Sequence, residues 1–565
     1  MIGGLRMGRS EDHRGRSGFC RRLIAAAVVG LAFAAGCRSV PRVLTAPEQG
    51  VIDRKDVEYP ADLELREFVS NLPNPTSIAV EPDGSLLVAG GSPDEEPYIW
   101  RIRATDNHIE SFYPRGRQLP FDLPLGGWRM FGPIGGMAVF RGEVYVSHRD
   151  ENGFGVITAF NNNGDHRTVV AHLPAQGDFG VTDIAIQEKG TGGEGKLFFG
   201  IGTATNSGVV GVDNWEAGWV VKHPEVCDIP LKDISLFGAR FNSPNPAAGL
   251  FTGSTISVTA GFQPFGNAFA LRVPGARDGK ANGVIMSISP HGGMPKVEAH
   301  GLHHPRGIGF DQSGFVPYFT DMGMEPRGTR PINRDPDALY KWSGGNPWYG
   351  WPDFSRDFNL ITDDDTGRQY QPPSDMVAPS GYPQIAPMIN LKASELRDPQ
   401  TLQLQRTLLA AVFPWMAGAA KFQFIPEDSP FNQFPGFSNT VVVALSGDRL
   451  PFATGGRPLV GPGEYKVPDG FKLVIVDLDR RTVRDFIRNT ANLPASKIPG
   501  AAPFLLERPC DIKFAGNVAY ILDAGSMRIQ DNKPHLDRSH LGHIYKLTIP
   551  QRRAPATMPA STQAQ

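Results

Sequence analysis

The chain has 565 residues, with 65 glycines, 50 prolines and only 20% charged residues. This mixture is typical of many short strands joined by turns and argues against a helical bundle. The net charge is −2, and without residues 1–36 the remaining 50 basic and 56 acidic side chains give −6. A mildly acidic body without a basic run argues against nucleic acid as a partner.

Residues 1–36 have the pattern of an export signal. Several arginines precede an apolar run at 23–35, which has the length of a signal-peptide core and is short for a membrane span. The run ends in Ala-Ala-Gly-Cys, which resembles a bacterial lipobox and predicts lipidation of Cys37. An ordinary secretory signal cleaved nearby is the alternative. In both cases we expect the body outside the cytoplasm. Lipidation of Cys37 would place it in the cell envelope, anchored by lipid to a membrane on the extracytoplasmic side.

Residues 37–61 are predicted to be a tether, and residues 551–565 a disordered tail. Between them lie six strand–turn–strand units, at 75–89, 134–147, 181–200, 305–321, 439–478 and 509–523, the last closed by 543–549. Each unit is too small to bury both of its faces, so the units must pack against one another. The sequence therefore predicts an all-β fold, one six-bladed β-propeller over 62–550. Long inserts at 203–280 and 322–438 interrupt it, and 397–412 has a helical pattern.

Several segments resemble the glucose/sorbosone dehydrogenase superfamily. They are GLHHPRGIGF at 301–310, FTD at 319–321 with GNPWYGWP at 345–352, and RPCDIKF at 508–514 with GHIYKL at 542–547. The resemblance implies a propeller that binds pyrroloquinoline quinone and calcium and oxidises a sugar. It also implies that Arg508, and more loosely Arg449, face the carboxylates of the quinone.

The catalytic positions of that family are changed in this chain. Phe179 stands where the family has its histidine base, and a phenyl ring cannot accept a proton. Thr203 replaces the acid that orients the base, and His303-His304 replaces an Arg-Asn pair. Candidates for a substitute base are Asp178, Asp183, His303 and His304, with His303 and His304 as loop residues that simply pack on the preceding strand as the alternative.

The candidate ligand surface is one mouth of the propeller channel. Asp178–Asp183, His303–Arg306, Glu325–Arg330 and Arg508 each lie just before the first strand of a unit or just after the second, so they should gather on one face. Arg306, Arg327, Arg330 and Arg508 would then suit an anionic cofactor or an acidic sugar, because arginine binds carboxylates bidentately.

Other patterns leave two interpretations open. Trp342, Trp348, Tyr349 and Trp351 predict either a sugar-stacking shelf or a plug at a blade junction. Residues 363–365, three aspartates, are either calcium ligands or a solvated turn. His291, His300, His303 and His304 match no metal motif by spacing. Cys227 and Cys510 could form a single disulfide.

Three hypotheses about function follow. The first is a quinone-dependent sugar or aldose dehydrogenase with a diverged acid–base apparatus. The second is a non-catalytic propeller that binds a carbohydrate or a protein and has lost its base. The third, with less support, is a lactonase, since propellers host many functions.

Overall fold

The computed structural model describes residues 44–45, 50–92, 95–114, 128–248, 253–342, 344–362, 370, 385–394, 396, 406–448, 459–461, 464–465, 469–530 and 533–550. Among these residues no helix is long and apolar enough to cross a membrane. Cys37, Arg449 and the aspartates at 363–365 lie outside them, as do the predicted signal segment, the C-terminal tail and residues 37–43 and 46–49 of the predicted tether.

The strands form six antiparallel sheets that follow one another along the chain, and we number these sheets as blades one to six. Three strands precede them: the short β1 (Leu44–Thr45) and β2 (Val57–Glu58), and the longer β3 (Glu64–Leu72). Blade one is β4 (Pro75–Val80), β5 (Leu86–Ser92), β6 (Glu95–Ile102) and β7 (Ile109–Tyr113). Blade two is β8 (Met137–Phe140), β9 (Glu143–Arg149), β10 (Gly155–Phe160) and β11 (His166–Leu173).

Blade three is interrupted by the first long insert. Its first two strands are β12 (Val181–Gln187) and β13 (Lys196–Ile201). The insert holds the helices α1 (Val212–Glu216) and α2 (Trp219–Lys222) and the strands β14 (Ile234–Ser235), β15 (Arg240–Pro244), β16 (Ile256–Ala260) and β17 (Arg272–Val273). The blade is completed by β18 (Val284–Ile288) and β19 (Lys296–His300).

Blades four to six complete the fold. Blade four is β20 (His304–Phe310), β21 (Pro317–Met322), β22 (Asp337–Lys341) and β23 (Leu409–Phe413). Blade five is β24 (Ala419–Phe424), β25 (Thr440–Leu445), β28 (Lys472–Asp477) and β29 (Thr482–Asn489), with the hairpin of β26 (Leu459–Gly461) and β27 (Glu464–Tyr465) between them. Blade six is β30 (Pro509–Ala515), β31 (Val518–Asp523) and β34 (Gly542–Thr548), with the hairpin of β32 (Met527–Gln530) and β33 (Lys533–Leu536). Two 3₁₀ helices, Pro430–Gln433 and Ala495–Lys497, lie in loops of the last two blades.

The six first strands make a closed ring around a central channel. Each of β4, β8, β12, β20, β24 and β30 contacts the next, and β30 returns to β4. The ring is fastened because the N-terminal β3 pairs with the C-terminal β34 inside blade six, and β2 similarly joins β29 in blade five. This arrangement confirms the prediction of an all-β, six-bladed propeller.

A shift of register near the start of the first strand recurs from blade to blade. It occurs in β4, β12, β20, β24 and β30, each paired with the second strand of its blade. Such a bulge bends a strand and re-aims its side chains. The residues at these bulges include Asp183 and Lys421, whose side chains meet in the channel, as described below.

Two local predictions need correction. The unit predicted at 439–478 supplies the second and third strands of blade five, and its first strand is β24, earlier in the chain. The helix predicted over 397–412 is wrong at its end, since residues 409–412 belong to β23, the outer strand of blade four. There tertiary pairing with β22 outweighs a helical pattern of leucine, glutamine and alanine.

Candidate functional site

A cavity of about 1210 Å³ opens at one mouth of the channel. It is lined by the segments that lead into the first strands and by those that follow the second strands. Of the candidate residues predicted from the sequence, Asp178, His304, Arg306, Arg327 and Arg508 line it. The geometric expectation that these loops gather on one face therefore holds for this group.

Asp178 is held in a buried ionic cluster. Its carboxylate accepts hydrogen bonds from Trp219 Nε1 at 2.7 Å, from Asn214 Nδ2 at 3.1 Å and from Arg327 Nη2 at 2.8 Å. Arg327 also donates to Glu325 at 2.6 Å and to Asp213 at 2.8 Å, so three carboxylates surround one guanidinium. Because these donors engage both carboxylate oxygens, Asp178 acts as a structural anchor of the cluster.

Burial makes the Asp213 carboxylate of the cluster easy to protonate. Burial raises the pKa of Asp213 to about 6, with Arg327 opposing the shift and Asp178 adding to it. The same three carboxylates raise the pKa of Arg327 against the effect of burial. Sequence reasoning missed Asp213, because it lies in the insert of blade three, far in sequence from the motifs.

Phe179 and His304 form a stacked pair at the position of the missing base. The two ring centroids are 4.3 Å apart at 28°, and the ring of His303 meets Phe179 edge-on at 4.8 Å. His304 lines the cavity, whereas His303 is fully buried with its Nδ1 2.9 Å from the carbonyl oxygen of Met322. Of the two histidines, His304 is the one placed for chemistry at the mouth.

In blades four and six, an aspartate near the end of the second strand binds the backbone of the segment that leads into the first strand. Asp321 accepts hydrogen bonds from the backbone N–H groups of His303 and His304, and from Arg356 Nη1 at 2.8 Å. In blade six, Asp523 accepts the N–H groups of residues 507 and 508 in the same way. These contacts explain the Asp that ends both repeats, and they orient His304 and Arg508.

Asp183 lies deeper in the channel and does not line the cavity. Lys421 Nζ lies 3.3 Å from its carboxylate and 3.9 Å from that of Asp511, and it donates to the carbonyl of Thr76 at 3.0 Å. All three charged side chains are buried. The contacts assign Asp183 to a structural ion pair that joins the first strands of three blades.

Of the four arginines predicted to converge, Arg306 and Arg508 lie at the mouth of the channel and come from different blades. Arg306 donates to Ser446 Oγ at 2.7 Å and to the Gly418 carbonyl at 3.2 Å, and Arg508 donates to the Asp448 carbonyl at 2.9 Å. Arg327 is committed to the cluster described above. Arg330 does not converge with them, because it is fully buried and its guanidinium binds Asp353 at 2.7 Å.

The predicted aromatic shelf is wrong, and the alternative of a plug is right. Trp348, Tyr349 and Trp351 are buried in the core, and Trp342 donates its Nε1 to the Glu298 carbonyl at 2.8 Å. The aromatic wall of the cavity lies instead between blades one and two, with members Tyr113, Trp128, Phe131, Phe160 and His166. Trp128 is 41% exposed, and its ring stacks on His166 at 3.8 Å.

The metal and disulfide patterns are not supported within the described residues. No group of three His, Cys, Asp or Glu side chains is placed there to hold a metal ion. Both Cys227 and Cys510 are free, and Cys510 is buried beside the Pro75 carbonyl, so the disulfide alternative is wrong.

Arg149 is one of the cavity-lining cations that the sequence analysis did not identify. It ends β9, the second strand of blade two, and thus satisfies the same rule that selected the other loops. The predicted unit stopped two residues earlier, at 147. Trp128 carried no comparable signal, since it lies before its blade in a stretch without periodicity.

No protein-family model matches the sequence, and no curated protein does. Solved structures do match. The holo PQQ domain of Coprinopsis cinerea pyranose dehydrogenase is 11% identical with a TM-score of 0.47, over 91% of this chain and 99% of that one. The PQQ-bound aldose sugar dehydrogenase of Streptomyces coelicolor is 12% identical with a TM-score of 0.41, over 87% and 99%. A carbohydrate-active enzyme of Trichoderma reesei is 13% identical with a TM-score of 0.45, over 89% and 100%.

These names agree with the family to which the sequence motifs point. Because the identities are this low and every TM-score quoted is below 0.5, nothing about the activity of this chain follows from them.

Proposed function

We propose that the channel mouth oxidises a sugar or aldose with a quinone cofactor, and that His304 takes the proton of the substrate hydroxyl. The observation that carries this proposal is the position of His304. Its imidazole lines the cavity beside Phe179, and Asp321 fixes its backbone. An imidazole is suited to proton transfer near neutral pH.

The cations of the mouth fit the carboxylates of pyrroloquinoline quinone. Arg306 and Arg508 line the same cavity on blades four and six, and guanidinium groups bind carboxylates bidentately. When bound, such a quinone accepts the hydride that leaves a sugar carbon. The fit to calcium is poor, because Arg327 holds two of the carboxylates that line the cavity, Asp178 and Glu325. Among the described residues no group of three His, Cys, Asp or Glu side chains is placed to hold a metal ion, and no step is assigned to a metal.

The second candidate is a propeller that binds a sugar without reacting it. It is favoured by Phe179, which fills the place of the base, and by Asp178, whose carboxylate is engaged by three donors. We further propose that Cys37 anchors the chain to a membrane outside the cytoplasm, from the lipobox-like sequence alone.

The test is reconstitution of the full chain with the quinone and calcium, followed by the spectrum of bound quinone and dye reduction with a panel of sugars. The proposal expects bound quinone and a turnover that His304→Ala lowers at least a hundredfold. The control His108→Ala, an exposed histidine of blade one, should keep full turnover.

Quinone bound without turnover in the native chain would overturn the enzymatic proposal. If Phe179→His then creates turnover, the binding candidate is supported, since the base alone had been lost. If no quinone binds, the dehydrogenase proposal falls.

A further inference from the structure

Arg149 is a guanidinium at the cavity wall without an acidic partner among the described residues. Its Nη2 donates to the Gly177 carbonyl at 3.0 Å, and its buried Nε has no hydrogen-bond partner. Burial lowers the pKa of Arg149, although the charge of Asp178 acts in the opposite direction. A desolvated cation without a paired anion is costly to keep, so its position calls for an explanation.

The nearby acids are engaged elsewhere. Asp178 is bound by Arg327, and Asp150 accepts the backbone N–H groups of Asn152 and Phe154 at 2.9 Å within its own turn. Neither of these acids therefore pairs with Arg149, and its guanidinium can bind an anion in the cavity.

The backbone around Arg149 gives the guanidinium room beside the candidate base loop. A Cβ on Gly180 would lie 3.1 Å from both Nε and Nη2 of Arg149. Glycine at this position lets the guanidinium lie flat against the loop that carries Phe179. Any larger residue there would force the arginine to shift.

Arg149 also shares its wall with the aromatic side of the cavity. Arg149 and Phe131 exchange two backbone hydrogen bonds of 3.0 Å, and Trp128 meets the ring of the adjacent His148 edge-on at 5.8 Å. An apolar face and a cation thus lie side by side. A pyranose that bears a carboxylate matches this pairing, because a C–H face of its ring can cover the aromatic side chains while the carboxylate faces the fork of the arginine.

We propose that Arg149 anchors a carboxylate of the substrate, and that the ligand of this cavity is a sugar acid, a pyranose bearing a carboxyl group, with its ring on Trp128 and Phe131. This inference rests on the proposed function for the location of the ligand, and it adds the substrate class. A neutral sugar leaves the charge of Arg149 without a partner.

The test is titration calorimetry of the full chain with D-glucuronate and with D-glucose, without quinone. We expect the native protein to bind glucuronate at least tenfold more tightly than glucose. Arg149→Gln should weaken glucuronate binding at least tenfold and leave glucose binding unchanged, with Arg149→Lys in between because lysine lacks the fork. The matched control Arg141→Gln, at the other end of blade two, should change neither.

Equal affinity of the native protein for the two sugars, or no binding of glucuronate, would overturn the inference. This comparison needs no variant and so holds even if Arg149→Gln fails to fold, which its thermal unfolding would reveal. A quinone carboxylate is the other possible partner of Arg149. If Arg149→Gln weakens quinone binding tenfold and leaves glucuronate binding unchanged, the sugar-acid assignment is wrong.

The outcome is separable from that of the proposed function. Glucuronate binding that depends on Arg149, in a protein that shows no quinone-dependent turnover, upholds the substrate class and refutes the dehydrogenase. If the protein instead turns over neutral sugars and Arg149→Gln does not change that turnover, the dehydrogenase is upheld and the substrate class is refuted.

Discussion

Lys421→Met should destabilise the propeller far more than removal of a lysine whose acidic partner is exposed. Lys421 lies 3.3 Å from Asp183 and 3.9 Å from Asp511, with side-chain exposures of 5%, 6% and 0%. Asp511 keeps a second cation, Lys513 at 2.8 Å, whereas Asp183 keeps the Ile308 N–H at 3.1 Å and the more distant charge of Lys513. The variant therefore removes the lysine that pairs directly with the buried carboxylate of Asp183.

Breaking a buried ion pair from one side costs about 3–5 kcal/mol. Unfolding of about 490 residues carries an entropy near 1 kcal/mol per kelvin, so the midpoint of thermal unfolding should fall by about 3–5 °C. The control Lys472→Met removes a lysine of the same blade whose partner, Asp485, is 42% exposed. It should cost less than about 1 kcal/mol.

The effect should depend on pH with a defined sign. Burial raises the pKa of Asp183 and Lys421 lowers it, so loss of Lys421 raises it further. An acid whose folded pKa exceeds its unfolded value binds more protons in the folded state, and its cost grows as pH rises through that interval. The stability that Lys421→Met loses relative to the native chain should therefore become smaller on acidification. Adding Asp183→Asn should recover part of that stability.

The assay is thermal unfolding followed by circular dichroism at one scan rate, for both variants and the native chain, at several pH values. A deficit no larger than that of Lys472→Met, or one that grows on acidification, would refute the account of Asp183 as a buried partner of Lys421.

Four further outcomes are expected. Trp128→Ala should weaken sugar binding by about 1 kcal/mol, or about fivefold in Kd by calorimetry, and leave the fold intact. Trp348→Ala should instead lower the free energy of unfolding by about 3–5 kcal/mol, because that ring is buried. Asp213→Asn should flatten the dependence of the unfolding midpoint on pH between about 4 and 6, because the folded pKa near 6 makes the native residue lose stability as pH rises through that window. Cys37→Ser should move the protein from the membrane to the soluble fraction, and a variant that stays with the membrane would contradict lipidation.

The blades were predictable because each unit carries its own local signals. In the fourth unit, Asp311 accepts the N–H groups of residues 315 and 316, and Gly314 has a φ of +75°, so DQSG specifies the turn between β20 and β21. The broken blade was harder, because β24 and β25 are separated by a loop with a 3₁₀ helix. A strand whose partner is distant in sequence leaves no hairpin pattern to recognise.

The sequence predicted the candidate site only in so far as the repeated blades bring their loops to one face of the propeller. The rule that loops before first strands share one face placed His304, Arg306 and Arg508 at the mouth. It could not separate His304 from His303, since adjacent residues of an extended segment point to opposite sides. Nor could it predict that Asp178 is engaged by Arg327, because that pair joins a loop of blade three to the insert of blade four.

Three arginines at the mouth are held by the same kind of contact, a hydrogen bond to a main-chain carbonyl. Arg149 donates to the Gly177 carbonyl, Arg306 to the Gly418 carbonyl and Arg508 to the Asp448 carbonyl. In each case the arginine belongs to one blade and the carbonyl to a loop of a neighbouring blade. A main-chain carbonyl orients a guanidinium without cancelling its charge, whereas a carboxylate does both, as it does for Arg327. The cations at the mouth are thus positioned by the packing of blades, and an anionic ligand that bridges them would bind to the ring of blades as a whole.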